Sequence, residues 1–302
     1  MRTLVASAAL PIVLAAMCPS VFAQWPDYPT PGAPRTPDGK VKMDAPPPRT
    51  PEGKPDLSGI WEFKNMGGPP APGAAGRPAD APAGAPAGGR AGAPPEGPSI
   101  PGLGPRPRGP SQFFNIGSTL KDGLPFTPWA AELRKQRAAE NNKDNPDAHC
   151  LPLGLMQLHT HPQPRKIIQA KNVIVILYEA QAGVRQIFMD GRSLPGKDAL
   201  PWWYAYSIGR WDGDTLVVET NGFRDDTWLD VEGSPLTNTG KMTERFRRPT
   251  YGSLEIEVTV EDPKAYTKPW TVKIDQRLLP DTDLIEFICQ ENDKAGPHLV
   301  GK

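Results

Sequence analysis

Between Leu254 and Glu261 apolar and polar residues alternate without a break. Leu254, Ile256, Val258 and Val260 stand against Glu255, Glu257, Thr259 and Glu261. A period of two marks a β-strand with one face in a core and the other in water. Further strand-like runs occupy residues 166–169, 173–179, 185–189, 204–211, 215–220, 242–247, 271–278 and 284–289. Ala182-Gly183, Asp190-Gly191, Tyr251-Gly252 and Pro280-Asp281 supply turn signals between them. The sharpest signal is a hairpin within Tyr206–Phe223, where Asp212-Gly213 is expected to make a two-residue turn. Leu216 and Val218 should then share one face, Val217 and Glu219 the other. About nine short strands with no helices between them predict a mainly β fold, an antiparallel barrel or sandwich, over residues 150–302.

The pattern differs upstream. Thr127 before Pro128 reads as the N-cap and first position of a helix running to about Asn141, within a helical connector over 111–149. Residues 58–65 read as a first strand, with Trp61 and Phe63 facing a core. Residues 66–110 are Gly, Pro and Ala with few apolar side chains, too little surface to offset ordering entropy, and are expected to be disordered. Residues 24–57 read as a Pro-rich tether. They contain a duplication, Arg35-Thr36-Pro37-Asp38-Gly39-Lys40 and Arg49-Thr50-Pro51-Glu52-Gly53-Lys54, read as an extended spacer with local turns rather than a docking motif for another protein.

Residues 1–23 have the layout of a secretory signal: Arg2, an apolar stretch from Leu4 to Met17, then Val21-Phe22-Ala23. Cleavage after Ala23 and a periplasmic or extracellular location are expected. No other run approaches the roughly 20 apolar residues of a membrane span, so no stable membrane insertion is expected. The chain carries 34 basic and 34 acidic residues, so it has no net field to draw it to nucleic acid. Nothing in the sequence indicates an oligomeric state.

Two resemblances follow from particular motifs. Pro55-Asp56-Leu57-Ser58-Gly59-Ile60-Trp61, the run Ile208 to Val218 and the run Asp262 to Trp270 resemble a family of exported bacterial proteins of uncharacterised function. Gly59-Ile60-Trp61 before many antiparallel strands is also similar to the Gly-x-Trp opening of lipocalins. That resemblance implies a calycin-type barrel in which the Trp closes one end and an Arg on the last strand packs over it. Here Leu284–Cys289 has no Arg, and Arg277, one strand earlier, is the nearby candidate.

Three groups of residues carry candidate chemistry. Cys150 and Cys289, the cysteines left after signal removal, are expected to form a disulfide in an oxidising compartment. His159 and His161, with His149 nearby, have a spacing that would put two imidazoles on one side of an extended chain, as a zinc or copper site needs. The alternative is a polar loop bounded by prolines. The aromatic and charged set Trp203, Tyr206, Arg210, Trp228 and Asp225 has the make-up of a small-molecule pocket. No Gly-x-Ser-x-Gly, phosphate loop, H-E-x-x-H or dinucleotide fingerprint is present, and no cofactor is indicated. The leading expectation is an exported protein that binds a small, partly apolar ligand. The alternatives are an exported hydrolase or isomerase using Asp and His residues, and a non-catalytic envelope module.

Overall fold

The computed structural model describes residues 28–64, 116–196 and 198–289. The expected signal peptide and the segment 66–110 lie outside the described residues. Among the described residues nine strands close into one barrel. They are β1 (Gly59–Phe63), β2 (Arg165–Gln169), β3 (Val173–Tyr178), β4 (Gly183–Phe188), β5 (Tyr206–Asp212), β6 (Thr215–Asn221), β7 (Lys241–Thr250), β8 (Ser253–Glu261) and β9 (Trp270–Leu278). Neighbours in sequence are neighbours in the ring, and β1 completes it between β2 and β9. All pairs are antiparallel except β4 and β5, which run parallel through only Ile187↔Ser207 and Phe188↔Ile208.

The alternation read from the sequence sets the inward face. Leu254, Ile256, Val258 and Val260 of β8 are buried, as are Leu216 and Val218 of β6. Val217 is buried as well, so its side of β6 is covered too. In the β5–β6 hairpin Asp212 pairs with Thr215, so the turn residues are Gly213 and Asp214, one position later than expected. Gly213 carries the positive φ, 58°, that such a turn demands.

The expected strand Leu284–Cys289 does not form, and this stretch is irregular with Ile285, Phe287 and Ile288 exposed. The cause is topological. Both sides of β9 are already occupied, by β8 and β1, so the closed ring offers no edge for it to join. Cys289 is nonetheless bonded to Cys150, with 5.6 Å between Cα atoms, which ties this segment back to the helical connector. That connector holds helix α1 (Pro128–Ala139), capped as expected by the Thr127 hydroxyl, which accepts from Ala130 N–H at 3.3 Å. A second, short helix was not foreseen: α2 (Leu155–Thr160), every residue of it buried.

Antiparallel topology gives the barrel two distinct ends. One carries the β2–β3, β5–β6 and β7–β8 turns, and residues 28–57 fold over it. They are a cap and not an extended spacer. Each copy of the duplication forms the same small loop. Thr36 N–H donates to Lys40 O at 2.8 Å and Thr50 N–H to Lys54 O at 2.8 Å. Arg35 and Arg49 each donate to the glycine carbonyl of their own loop, Gly39 and Gly53. Each then reaches a carboxylate on the barrel, Asp281 for Arg35 and Asp214 for Arg49. Between the loops, Tyr251 and Gly252 N–H groups donate to Ala45 O and Met43 O at 2.7 and 2.8 Å. At this end Trp61 is fully buried, and its Nε1–H donates to Leu57 O at 3.0 Å. The arginine over its ring is Arg248 of β7, 4.8 Å from the ring centre. Arg277, the candidate named from sequence, is bound to Glu62 on the exposed side. Gly59 is required here: its φ is 140°, and a Cβ would lie 2.6 Å from Leu278 Cδ1.

The disulfide closes a loop of 139 residues between a surface segment and the connector. Replacing both cysteines with alanine is expected to lower the unfolding free energy by about 2–5 kcal/mol in urea titrations. An unchanged midpoint would mean the bond constrains nothing that folding does not already hold.

Candidate functional site

The end opposite the cap is closed from within. Leu153, Leu155, Met156 and Leu158 carry α2 into the barrel as an apolar plug. Gly154 lets it seat, since a Cβ there would lie 2.3 Å from Trp228 O. The plug brings His159 to an inward-facing cluster on the barrel wall. His159 Nε2–H donates to Glu244 Oε1 at 2.6 Å. Arg185 donates from both terminal nitrogens to Glu244, at 2.9 Å to Oε1 and through a second bond to Oε2. Its remaining N–H groups meet Ser207 Oγ at 3.1 and 3.0 Å and Thr220 Oγ1 at 3.1 Å. Arg165 donates to the carbonyls of His159 and His161 at 2.9 and 3.2 Å, and Gln276 Nε2 donates to His159 O at 2.9 Å.

Burial governs the titration of this cluster. It pushes the His159 pKa down against the pull of Glu244, so the imidazole is neutral and its proton sits on Nε2. Burial lowers His161 to about 4. For Glu244 burial acts upward, but the charge and hydrogen bonds of Arg185, with the His159 bond, outweigh it and hold the carboxyl at about 2. Burial brings Arg165 down to about 10, so it keeps its charge at neutral pH.

The metal reading does not gain the geometry it needed. His159 and His161 lie at the end of a helix, not on an extended chain, and the polar loop expected there is a buried apolar plug. His149 is exposed, with Nε2 at 2.8 Å from Lys143 O. Among the described residues no group of three His, Cys, Asp or Glu side chains converges to hold a metal.

The five residues read as a ligand set fall in separate surroundings. Trp228 is buried under the Arg137 guanidinium, 4.6 Å from its ring. Trp203 lies beneath Arg224 at 4.2 Å. Tyr206 packs against Phe188 and Trp202, with its hydroxyl accepting from Arg192 at 3.0 Å. Arg210 forms an exposed ion pair with Glu219 at 2.9 Å. Asp225 accepts from Asn238 N–H at 2.9 Å, and Asp226 binds Arg224, so these carboxylates shape loops.

An open concavity lies at the capped end. A cleft of 540 Å³ separates the arm from the barrel. Tyr28, Pro29, Pro31 and Pro48 form one wall, and Ile60 and Leu279 part of the other. Lys166, Arg248, Asp56 and Asp283 bring charge to it. A second cleft of 490 Å³, lined by Arg49, Pro51, Lys171, Met189 and Trp211, also includes Asp56 and so adjoins it. No family model, curated protein or solved structure matches this chain.

Two predictions follow from the plug network. Glu244→Gln leaves the Arg185 guanidinium buried without its counter-charge and is expected to cost about 3–5 kcal/mol of stability by chemical denaturation. A loss under 1 kcal/mol would show that water reaches the network. The second concerns pH. His161 is held neutral to about 4, while the unfolded chain takes up its proton below the ordinary value of 6.5. Stability is therefore full above 6.5 and falls as pH drops towards 4, with His159 contributing in the same direction. Glu244 adds a second loss from its ordinary 4.5 down to about 2. Each group contributes a slope of at most about 1.4 kcal/mol per pH unit. Urea midpoints of His161→Gln should fall less steeply than wild type between pH 6.5 and 4. Parallel curves would remove His161 from the account.

Proposed function

We propose that this protein binds a small, partly apolar molecule in the cleft between the N-terminal arm and the barrel. The observation that carries the reading is the cleft itself. Its 540 Å³ falls within the roughly 300–1,000 Å³ usual for ligand sites. Its walls join proline rings, Ile60 and Leu279 to a few charged groups, the composition that binds an apolar body and orients a polar end. Of the aromatic set, Trp228 lines a smaller cleft of 350 Å³ walled by charged and polar residues of the helical connector, a lining less suited to an apolar body than that of the arm cleft.

The barrel supports a lipocalin-like reading through Gly59-Ile60-Trp61 and the arginine over Trp61. Its nine strands and one parallel pair depart from the eight-stranded antiparallel pattern that the resemblance implies. The Cys150–Cys289 disulfide supports an oxidising compartment and with it the exported location. No helix among the described residues is long and apolar enough to cross a membrane.

The test is native mass spectrometry of the mature protein recovered from an exporting host, followed by titration of whatever organic mass it retains. Leu279→Trp fills the cleft and is expected to weaken that ligand at least tenfold, while Trp203→Ala leaves the affinity unchanged. The opposite pattern would move the site to the aromatic loops. Absence of any retained or added ligand that responds to Leu279→Trp would sink the reading.

A further inference from the structure

The plug network leaves a charge unanswered. Arg165 of β2 and Tyr178 of β3 are direct partners across the β2–β3 ladder, and both are buried. Partners of this kind place their side chains side by side on one face. Arg165 Nε–H has no acceptor, and the Tyr178 hydroxyl, which the Arg185 guanidinium approaches only as a donor, has no acceptor for its own proton. Arg165 gives its other nitrogens only to the His159 and His161 carbonyls and forms no ion pair with a described carboxylate. The acid that reaches it electrostatically, Glu62, is bound to Arg277.

The charges that face this point are few. Arg185 also lies beside the Tyr178 hydroxyl, but its charge is matched by Glu244. Both Glu244 oxygens are engaged, one by Arg185 and His159 and the other by Arg185. His159 is neutral. Two guanidiniums therefore stand against one carboxylate inside a closed end of the barrel. An uncompensated buried charge is costly, and a buried donor without an acceptor adds to that cost. Arg248 at the capped end makes the contrast. It also lacks a carboxylate within bonding distance, but it spends its donors on the carbonyls of Asp56, Ser58 and Tyr251 and stacks on Trp61. Arg165 keeps a donor in reserve and has a second donor beside it.

We propose that the plug end of the barrel holds a small monovalent anion, a halide or the carboxylate of a small organic ligand, between Arg165 Nε and the Tyr178 hydroxyl. Water alone would satisfy the two donors but not the excess positive charge. Gln276 Oε1 and His159 Nδ1 are buried acceptors with no donor, which ordered water would satisfy. Tyr204 stacks on Tyr178, with 6.3 Å between ring centres, and fixes that ring in place. This site is separate from the arm cleft, and Leu279→Trp should not affect it.

The experiment uses the mature chain, crystallised as isolated and after replacing the salt with sodium bromide. Thermal midpoints are compared in bromide and in sodium isethionate, a bulky sulfonate, at equal ionic strength. The expected result is an anomalous bromide peak at hydrogen-bonding distance from both Arg165 Nε and Tyr178 Oη. A bromide-specific rise in Tm of about 2–4 °C should accompany it and be lost in Tyr178→Phe, which keeps the ring and removes the donor. Density in the untreated crystal that continues from a carboxylate into an organic body identifies a ligand as the source. Compact density that bromide replaces identifies a free ion. Water in both crystals, with no anomalous peak and no bromide-specific shift, overturns the proposal.

Discussion

A carboxylate taken fully out of water organises this protein. Glu244 sits on β7 facing inward, and its charge is tolerable only because Arg185 from β4 and His159 from the plug reach it together. Desolvating such a group is worth more than any exposed ion pair returns, so the partners must be in place for the strands to hold it there. Ser207 and Thr220 then complete the guanidinium's hydrogen bonds from β5 and β6. Four strands and the plug helix are thereby referred to one point. Apolar contacts hold the plug without direction; the bond from His159 to Glu244 gives it one.

The strands were legible because a half-buried sheet writes its period directly into the chain, as Leu254 to Glu261 does. The network left a signal too, though a quieter one. Arg165 shares its phase with Ile167, Arg185 with Ile187, and Glu244 with Met242 and Phe246. A charge on the apolar phase of a strand must find polar partners inside, and here Arg185 and Glu244 find each other while Arg165 finds the carbonyls at the end of the plug. The plug was hidden by its brevity. Six helical residues flanked by proline and glycine look like a loop, although Leu153, Leu155, Met156 and Leu158 are too apolar for an exposed one.

What the sequence could not announce was long-range. The arm reads as a spacer because its own residues hold few apolar contacts. Its order comes from barrel carboxylates, Asp281 at a separation of 246 from Arg35 and Asp214 at 165 from Arg49. Likewise Leu284–Cys289 has every local preference for a strand and lacks only a vacant edge. The disulfide could be foreseen from the pair of cysteines left beyond the expected signal, read in an oxidising compartment, whereas the arm cleft exists only because the chain doubles back over the barrel end.

Nine is an odd number, and this has a consequence for the ring. Directions cannot alternate all the way round a closed circle of odd count, so at least one adjacent pair must run the same way. Here that obligatory seam falls between β4 and β5 and is held by only two residue pairs. It is where the circle is thinnest, every other strand pair being joined by three or more. Arg185 is on β4 and Ser207 on β5, so their side-chain bonds are stitches across the same seam. The group that neutralises the buried carboxylate thus also fastens the one join that parity leaves weak.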